Sequence, residues 1–296
     1  MRCSTLRIAL ALAVVCTAST AARTQGPSAE LAAILRRAGE KVEEYFARAQ
    51  SLICLEIVRL QPLSSGLTAD GFGRTVESEL RLSWDPFAAT GDAPEAATLR
   101  QVLKVNGHAP REDDYNSCTT PEQQTRETQP LSMLLPAQRR DYRFALASAG
   151  KLDGRPAIIV SYTKTTRRTV EVSLVEGRDD CISFDVDGGQ RGRIWLDPET
   201  YEVMRLDQSL GGLVDIPLPR RVVNRPGMPS VWTMERLDTS IRFKPVSFQD
   251  PEETIMLPVA ASELRITRGS GQPRLRTVTR YSRYKRFLTG ARVVQE

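Results

Sequence analysis

The stretch Gly192-Arg193-Ile194-Trp195-Leu196-Asp197-Pro198-Glu199-Thr200-Tyr201-Glu202-Val203-Met204-Arg205-Leu206 holds two short apolar runs around a polar turn. Gly192 to Leu196 and Glu202 to Leu206 are rich in large and β-branched residues, and Asp197-Pro198-Glu199-Thr200 separates them. Proline suits the second position of a type I turn because its ring fixes φ. The pair predicts an antiparallel hairpin. Trp195 has the opposite parity to Ile194 and Leu196, so this strand is expected to be covered on both faces.

The same punctuation continues on either side. Tyr142-Arg143-Phe144-Ala145-Leu146 and Ala157 to Tyr162 flank Leu152-Asp153-Gly154-Arg155, a second hairpin signal. Gln101 to Val105 runs into Asn106-Gly107, a favoured two-residue turn, and predicts a short hairpin over 99–111. Val76, Ser78, Leu80, Leu82 and Trp84 alternate with Glu77, Glu79, Arg81 and Ser83, as on a half-buried strand. Val231 to Phe243 and Leu275 to Phe287 read as long strands, and 254–267 holds at least one more. The polar stretch 111–129 and the glycine-rich stretch 176–192 read as loops, and Pro130 to Leu135 suggests a short helix. Turns at these intervals predict an antiparallel meander, not βαβ units.

One long helix precedes the strands. Leu31, Ile34, Leu35, Ala38, Val42, Tyr45, Phe46 and Ala49 recur at three- and four-residue spacing, with Glu30, Arg36, Arg37, Glu40, Glu43, Glu44 and Arg48 opposite. Pro27-Ser28 opens this amphipathic helix of 28–50, with Ser28 as N-cap. The expected fold class is α+β: a curved antiparallel sheet of about nine or ten strands, spanning 52–290, with the helix on one face.

Met1 to Ala22 carries Arg2 and Arg7, an apolar run from Ile8 to Val15, then small residues, the pattern of a secretory signal peptide. The run is far short of a membrane-spanning helix. Val15 is too bulky for the position before a lipidated cysteine, so Cys16 does not read as a lipid anchor. Cleavage leaves a single exported domain over 23–296, periplasmic or secreted. It removes two arginines, leaving 39 basic against 36 acidic residues and a net charge of +3. That excess argues against nucleic acid as a partner. The arginines of 274–286 fall among Leu275, Val278, Tyr281 and Tyr284, as on a solvated strand face.

Cys54, Cys118 and Cys181 remain in the mature chain. Three pairings are open in an oxidising compartment. Cys54 lies in the apolar Leu52-Ile53-Cys54-Leu55 and reads as a buried free thiol, whereas Cys118 and Cys181 both sit in polar surroundings. The expected bridge is Cys118–Cys181.

Arg193 to Thr200, Val203-Met204-Arg205-Leu206-Asp207, and Met256-Leu257-Pro258-Val259 ahead of Arg280-Tyr281-Ser282-Arg283-Tyr284 resemble segments of a group of exported, mostly uncharacterised bacterial proteins. The order of elements is similar to that of outer-membrane lipoprotein carriers and periplasmic stress sensors. The resemblance implies an open half-barrel whose concave apolar face is covered by helices and, for the carriers, the shielding of an acyl chain in transit. Its motifs are structural, so no catalytic residue carries over. This chain is longer, with extra loops at 111–129 and 211–230.

No constellation for catalysis or metal binding stands out. His108, the one histidine, follows a polar turn ten residues before Cys118. Asp185-Val186-Asp187-Gly188-Gly189 starts like a calcium loop, but Ile194 stands where the closing acid belongs. Gly71-Phe72-Gly73 lacks the third glycine of a dinucleotide site. Glu77 and Glu79 share a strand face, as chance pairs do. No cofactor is expected.

Three functions are carried forward. The first is a soluble envelope protein binding or carrying an apolar ligand, such as a lipid or acyl chain, in a half-barrel cavity. The expected lining is Leu82, Trp84, Met204, Leu206, Leu213, Ile216, Trp232 and Met234, large side chains on half-buried strands or, for Leu213 and Ile216, on an apolar connection. The second is a protein–protein interaction module of the bacterial envelope, with a lipoprotein or another envelope protein as partner. The third is an unrecognised hydrolase.

Overall fold

The computed structural model describes residues 29–49, 51–84, 96–115, 118, 130–175, 178–223, 227, 229–272 and 274–286. The signal segment 1–22 and the N-cap Ser28 lie outside them. Helix α1 spans Ala29–Arg48, and its stripe Leu31, Ile34, Leu35, Ala38, Val42 and Phe46 is buried. Gly39, also buried, interrupts good helix formers at a cost of about 1 kcal/mol relative to alanine. The reason is a close approach: a Cβ there would stand 2.8 Å from the Leu134 carbonyl and overlap the Arg139 guanidinium.

Thirteen strands follow: β1 (Ser51–Leu63), β2 (Arg74–Trp84), β3 (Ala96–Val105), β4 (Tyr142–Leu152), β5 (Arg155–Lys164), β6 (Thr169–Val175), β7 (Arg178–Asp187), β8 (Gln190–Leu196), β9 (Val203–Leu210), β10 (Val214–Pro217), β11 (Val231–Gln249), β12 (Glu252–Arg268) and β13 (Arg274–Arg286). Ten of them form one curved sheet in the order β3-β2-β1-β13-β12-β11-β9-β8-β5-β4, and β10 adds to β11. Every recorded pair is antiparallel, and β3 and β4 end the path without meeting, so this is an open half-barrel. Neighbours in the sheet are consecutive in the chain except where β5 pairs with β8, β9 with β11, and β1 with β13.

The turns hold the meander as their residues require. Asp153 and Gly154 both take positive φ between β4 and β5, as a two-residue hairpin needs. Between β8 and β9, the Asp197 carboxylate accepts the backbone N–H groups of Glu199 (2.9 Å) and Thr200 (3.2 Å). Two expectations are corrected. Asn106 and Gly107 do form their turn, but only His108 pairs back, to Val105, and Glu112–Tyr115 is a 3-10 helix instead of a returning strand. The stretch 176–192 is not a loop, because Arg178–Asp187 is a strand paired with β6.

Strand alternation gives the sheet two different faces. On one, α1 packs with Leu52, Val160, Ile194, Leu196, Leu206 and Ile241 in the main core. Leu131, Met133 and Leu134 join it from the connection that carries the chain from the β3 edge to the β4 edge, followed by the short helix α2 (Pro136–Arg139). Further along this face, the β6–β7 hairpin and helix α3 (Arg220–Val223) cover a second cluster around Leu210, Ile216, Trp232 and Met234. No described element lies on the other face.

Candidate functional site

Among the described residues, side chains pack closely in the seam between α1 and the sheet. Lys41, Val42, Tyr45, Leu131, Val203 and Phe243 enclose a cleft of only about 30 Å³, against roughly 300–1,000 Å³ for ligand pockets. The expected lining residues do not meet around it. Leu82 and Leu206 belong to the main core, while Ile216, Trp232 and Met234 belong to the second cluster under β6–β7. Met204 points to the opposite face and packs with Ala157 and Trp195. Leu213 is exposed, and the Trp84 side chain lies outside the described part of the structure. Trp195 is indeed sheltered, by Met204 and by the Arg205 guanidinium 5.0 Å above its ring.

Among the described residues, a wider space lies on the other face of the sheet. A groove of about 560 Å³ runs over β8, β9, β11, β12 and β13. Cross-strand register assigns its lining. Arg193 faces Asp207, which faces Ser240 and then Ser262; beside this row, Ser209 faces Asp238, Leu264 and Arg276 in turn. Leu206, one residue from Asp207, faces Ile194 and Ile241 in the core, so the groove residues point away from α1. Both groove aspartates are neutralised on their own strands: Arg205 Nε donates to Asp207 at 2.8 Å, and Arg236 pairs with Asp238. The floor is therefore hydroxyls and closed ion pairs, with Leu264 and Gly192 among them.

Other polar groups are occupied by structure. The Glu56 carboxylate is fully buried in β1, and Arg100 of β3 donates to both of its oxygens, at 2.7 and 3.4 Å. Next to it, burial foremost and then the negative charge of Glu56 push the Cys54 thiol up to about 12, and burial likewise raises the Tyr284 phenol beside it. A thiol so held is a core group, not a nucleophile. Cys118 and Cys181 form a disulfide with Cα atoms 5.2 Å apart, and Cys54 is free and buried. An oxidised Cys118 is no partner for His108, whose Nδ1 lies 2.8 Å from the Ala109 carbonyl. Asp185 and Asp187 belong to strand β7, and Lys164 pairs with Asp187. Among the described residues no group of three or more histidines, cysteines or acids converges on a metal site.

No protein-family model and no curated protein matches this sequence. Among solved structures, the chain is similar to a domain from Vibrio parahaemolyticus described as an outer membrane lipoprotein-sorting protein: 12% identity, 86% of this chain, 94% of that one, TM-score 0.39. A DUF1329 family protein from Desulfovibrio piger gives 11% identity, 87% and 93% coverage, and a TM-score of 0.38. A LolA superfamily protein from Nitrosomonas europaea gives 10%, 88% and 97%, with a TM-score of 0.33. At these identities and scores the likeness is one of outline alone. No helix among the described residues is long and apolar enough to cross a membrane.

Sequence reasoning misses the groove because its walls come from five strands between residues 190 and 286. Its local trace is parity: Arg193 stands out of phase with Ile194 and Leu196, and Asp207 with Leu206.

Proposed function

We propose that this chain is a protein–protein interaction module of the bacterial envelope that meets its partner on the uncovered sheet face. The observation that carries this reading is the contrast between the two faces among the described residues: a closely packed apolar seam with a cleft of about 30 Å³, and an open groove of about 560 Å³ lined mostly by polar residues. An acyl-chain carrier needs the reverse, an apolar cavity and a polar exterior. Entry of a lipid under α1 would require lifting a stripe of six buried apolar side chains, of which the five larger than Ala38 contribute roughly 1.5–3 kcal/mol each. The envelope setting is supported by the signal-like segment 1–22 and by the Cys118–Cys181 bridge, a bond that persists in oxidising compartments. The mature unit is the one domain from residue 23 onward.

Site-specific photo-crosslinking in cells tests the reading. A photoreactive residue at Ser240, on the groove floor, is expected to capture one discrete envelope protein. The same residue at Arg36, on the solvent side of α1, is expected to capture none. Capture of lipid from Val42 or Leu206, with nothing from Ser240, would restore the carrier reading.

A further inference from the structure

Register places arginines on the uncovered face in a way no single strand shows. Three cross-strand rows can be followed there. One runs from Arg143 through Thr163, Arg191, Ser209, Asp238 and Leu264 to Arg276. The next runs from Ser161 through Arg193, Asp207, Ser240, Ser262 and Val278 to Arg59. The third includes Trp195, Arg205, Arg242, Ala260, Arg280, Ile57 and Glu77. The carboxylates in these rows are Asp207, Asp238 and Glu77, and each has a cation of its own in Arg205, Arg236 or Lys104. Arg242 is taken by Asp153. Six arginines are left: Arg59, Arg143, Arg191, Arg193, Arg276 and Arg280. All six are exposed and have no carboxylate partner among the described residues.

Their distribution is bipolar. Arg193 on β8 and Arg276 on β13 line the groove at its two ends; Arg191 and Arg143 extend the first cluster along β8 and out to β4, and Arg280 and Arg59 extend the second along β13 and out to β1. Between them lie Ser209, Ser240, Ser262 and the two closed ion pairs. Four strand spacings separate Arg193 from Arg276, roughly 19 Å, which an extended peptide covers with about six residues. We infer that the groove binds an extended acidic segment of a partner protein, laid across the strands with carboxylates at both rims and its backbone over the serines. The inference rests on the interaction-module reading and adds the chemistry of the partner. Charge complementarity selects the acidic class, since the rims offer six uncompensated guanidiniums to no internal acid. The groove selects a segment over a bilayer, because a flat anionic surface would touch the rims and leave the floor unfilled.

The test uses the full mature chain and a fluorescein-labelled peptide of alternating glutamate and serine, followed by anisotropy. The peptide is expected to bind saturably, and more weakly as salt is raised. Arg193→Glu combined with Arg276→Glu is expected to weaken it by roughly tenfold or more, whereas Arg221→Glu on α3 leaves it unchanged. Both groove arginines are exposed, so the variants should melt like the parent chain. The inference is overturned if the peptide does not bind, if a lysine–serine peptide binds as well, or if the double variant binds equally. It is also overturned, in favour of a membrane surface, if phosphatidylglycerol vesicles sediment the protein while the peptide fails. A protein crosslinked from Ser240 whose capture is indifferent to Arg193→Glu and Arg276→Glu would sink the acidic partner and leave the interaction module standing. Lipid capture under α1 would sink the module itself.

Discussion

Tyr162 of β5 lies across Gly192 of β8, and its hydroxyl donates to the Asp207 carbonyl on β9 at 3.2 Å and to the Gln208 side chain at 3.3 Å. One buried tyrosine thus ties three strands beneath the groove. A Cβ on Gly192 would overlap the Asp207 carbonyl and stand 2.7 Å from that hydroxyl, which is why this strand carries glycine there. Gly192→Ala is expected to lower stability by about 1–3 kcal/mol through overpacking. Tyr162→Phe, which keeps the ring, is expected to cost about 1 kcal/mol. Urea titration of both variants checks the order; equal stability of Gly192→Ala and the parent would mean that β8 and β9 do not approach as closely at Gly192 as described.

Glu56 and Arg100 make a buried pair between β1 and β3. Glu56→Ala leaves a guanidinium in a dry site and is expected to cost about 3–5 kcal/mol. Replacing both residues by methionine is expected to recover much of that loss, because the desolvation cost disappears with the charges. A double variant as unstable as the single one would contradict the explanation.

Alkali should weaken the fold. Cys54 and Tyr284 have raised folded-state pKa values because burial disfavours their anions. The unfolded chain then loses protons first as pH rises, so stability is full below the ordinary thiol value near 9 and falls toward about 12. The expected result is a melting temperature that declines progressively above pH 9, with a shallower decline in Cys54→Val. A flat profile to pH 11 would argue against burial of the thiol.

The Cys118–Cys181 bond ties the connection after β3 to β7, 63 residues away. Its removal by Cys118→Ala with Cys181→Ala is expected to cost about 2–5 kcal/mol. Non-reducing peptide mapping should recover this bridge alone, with Cys54 alkylated only after unfolding. A bridge containing Cys54 would contradict the assignment.

Much of the architecture is legible where the signal is local. The period of 3.6 in residues 29–48 and the turns at Asp153-Gly154 and Asp197-Pro198 depend on near neighbours, and α1, the β4–β5 hairpin and the β8–β9 hairpin form accordingly. The β6–β7 hairpin has a signal too: Val170, Val172 and Leu174 alternate with Glu171 and Ser173, but the flanking glycines and acids mask it. Alternation tells which side chains of a strand are inward, not which neighbours they meet. Leu206 and Met204, two residues apart, sit on opposite faces because the register between β8 and β9 shifts between Trp195 and Leu196. The arginine rims are the least legible feature. Arg143, Arg193 and Arg276 come from distant parts of the chain, and each looks like one more solvated charge until the strand order is known.

Native mass spectrometry of the protein released gently from its own envelope bears most directly on the central claim, that recognition occurs on the open polar face and not in an internal apolar cavity. The account predicts the mass of the chain from residue 23 with one disulfide, alone or with a protein partner that dissociates as salt is raised. A stoichiometric phospholipid or acylated adduct that survives high salt, and is lost when Leu206 or Val42 is replaced by a charged residue in a still-folded chain, would contradict it.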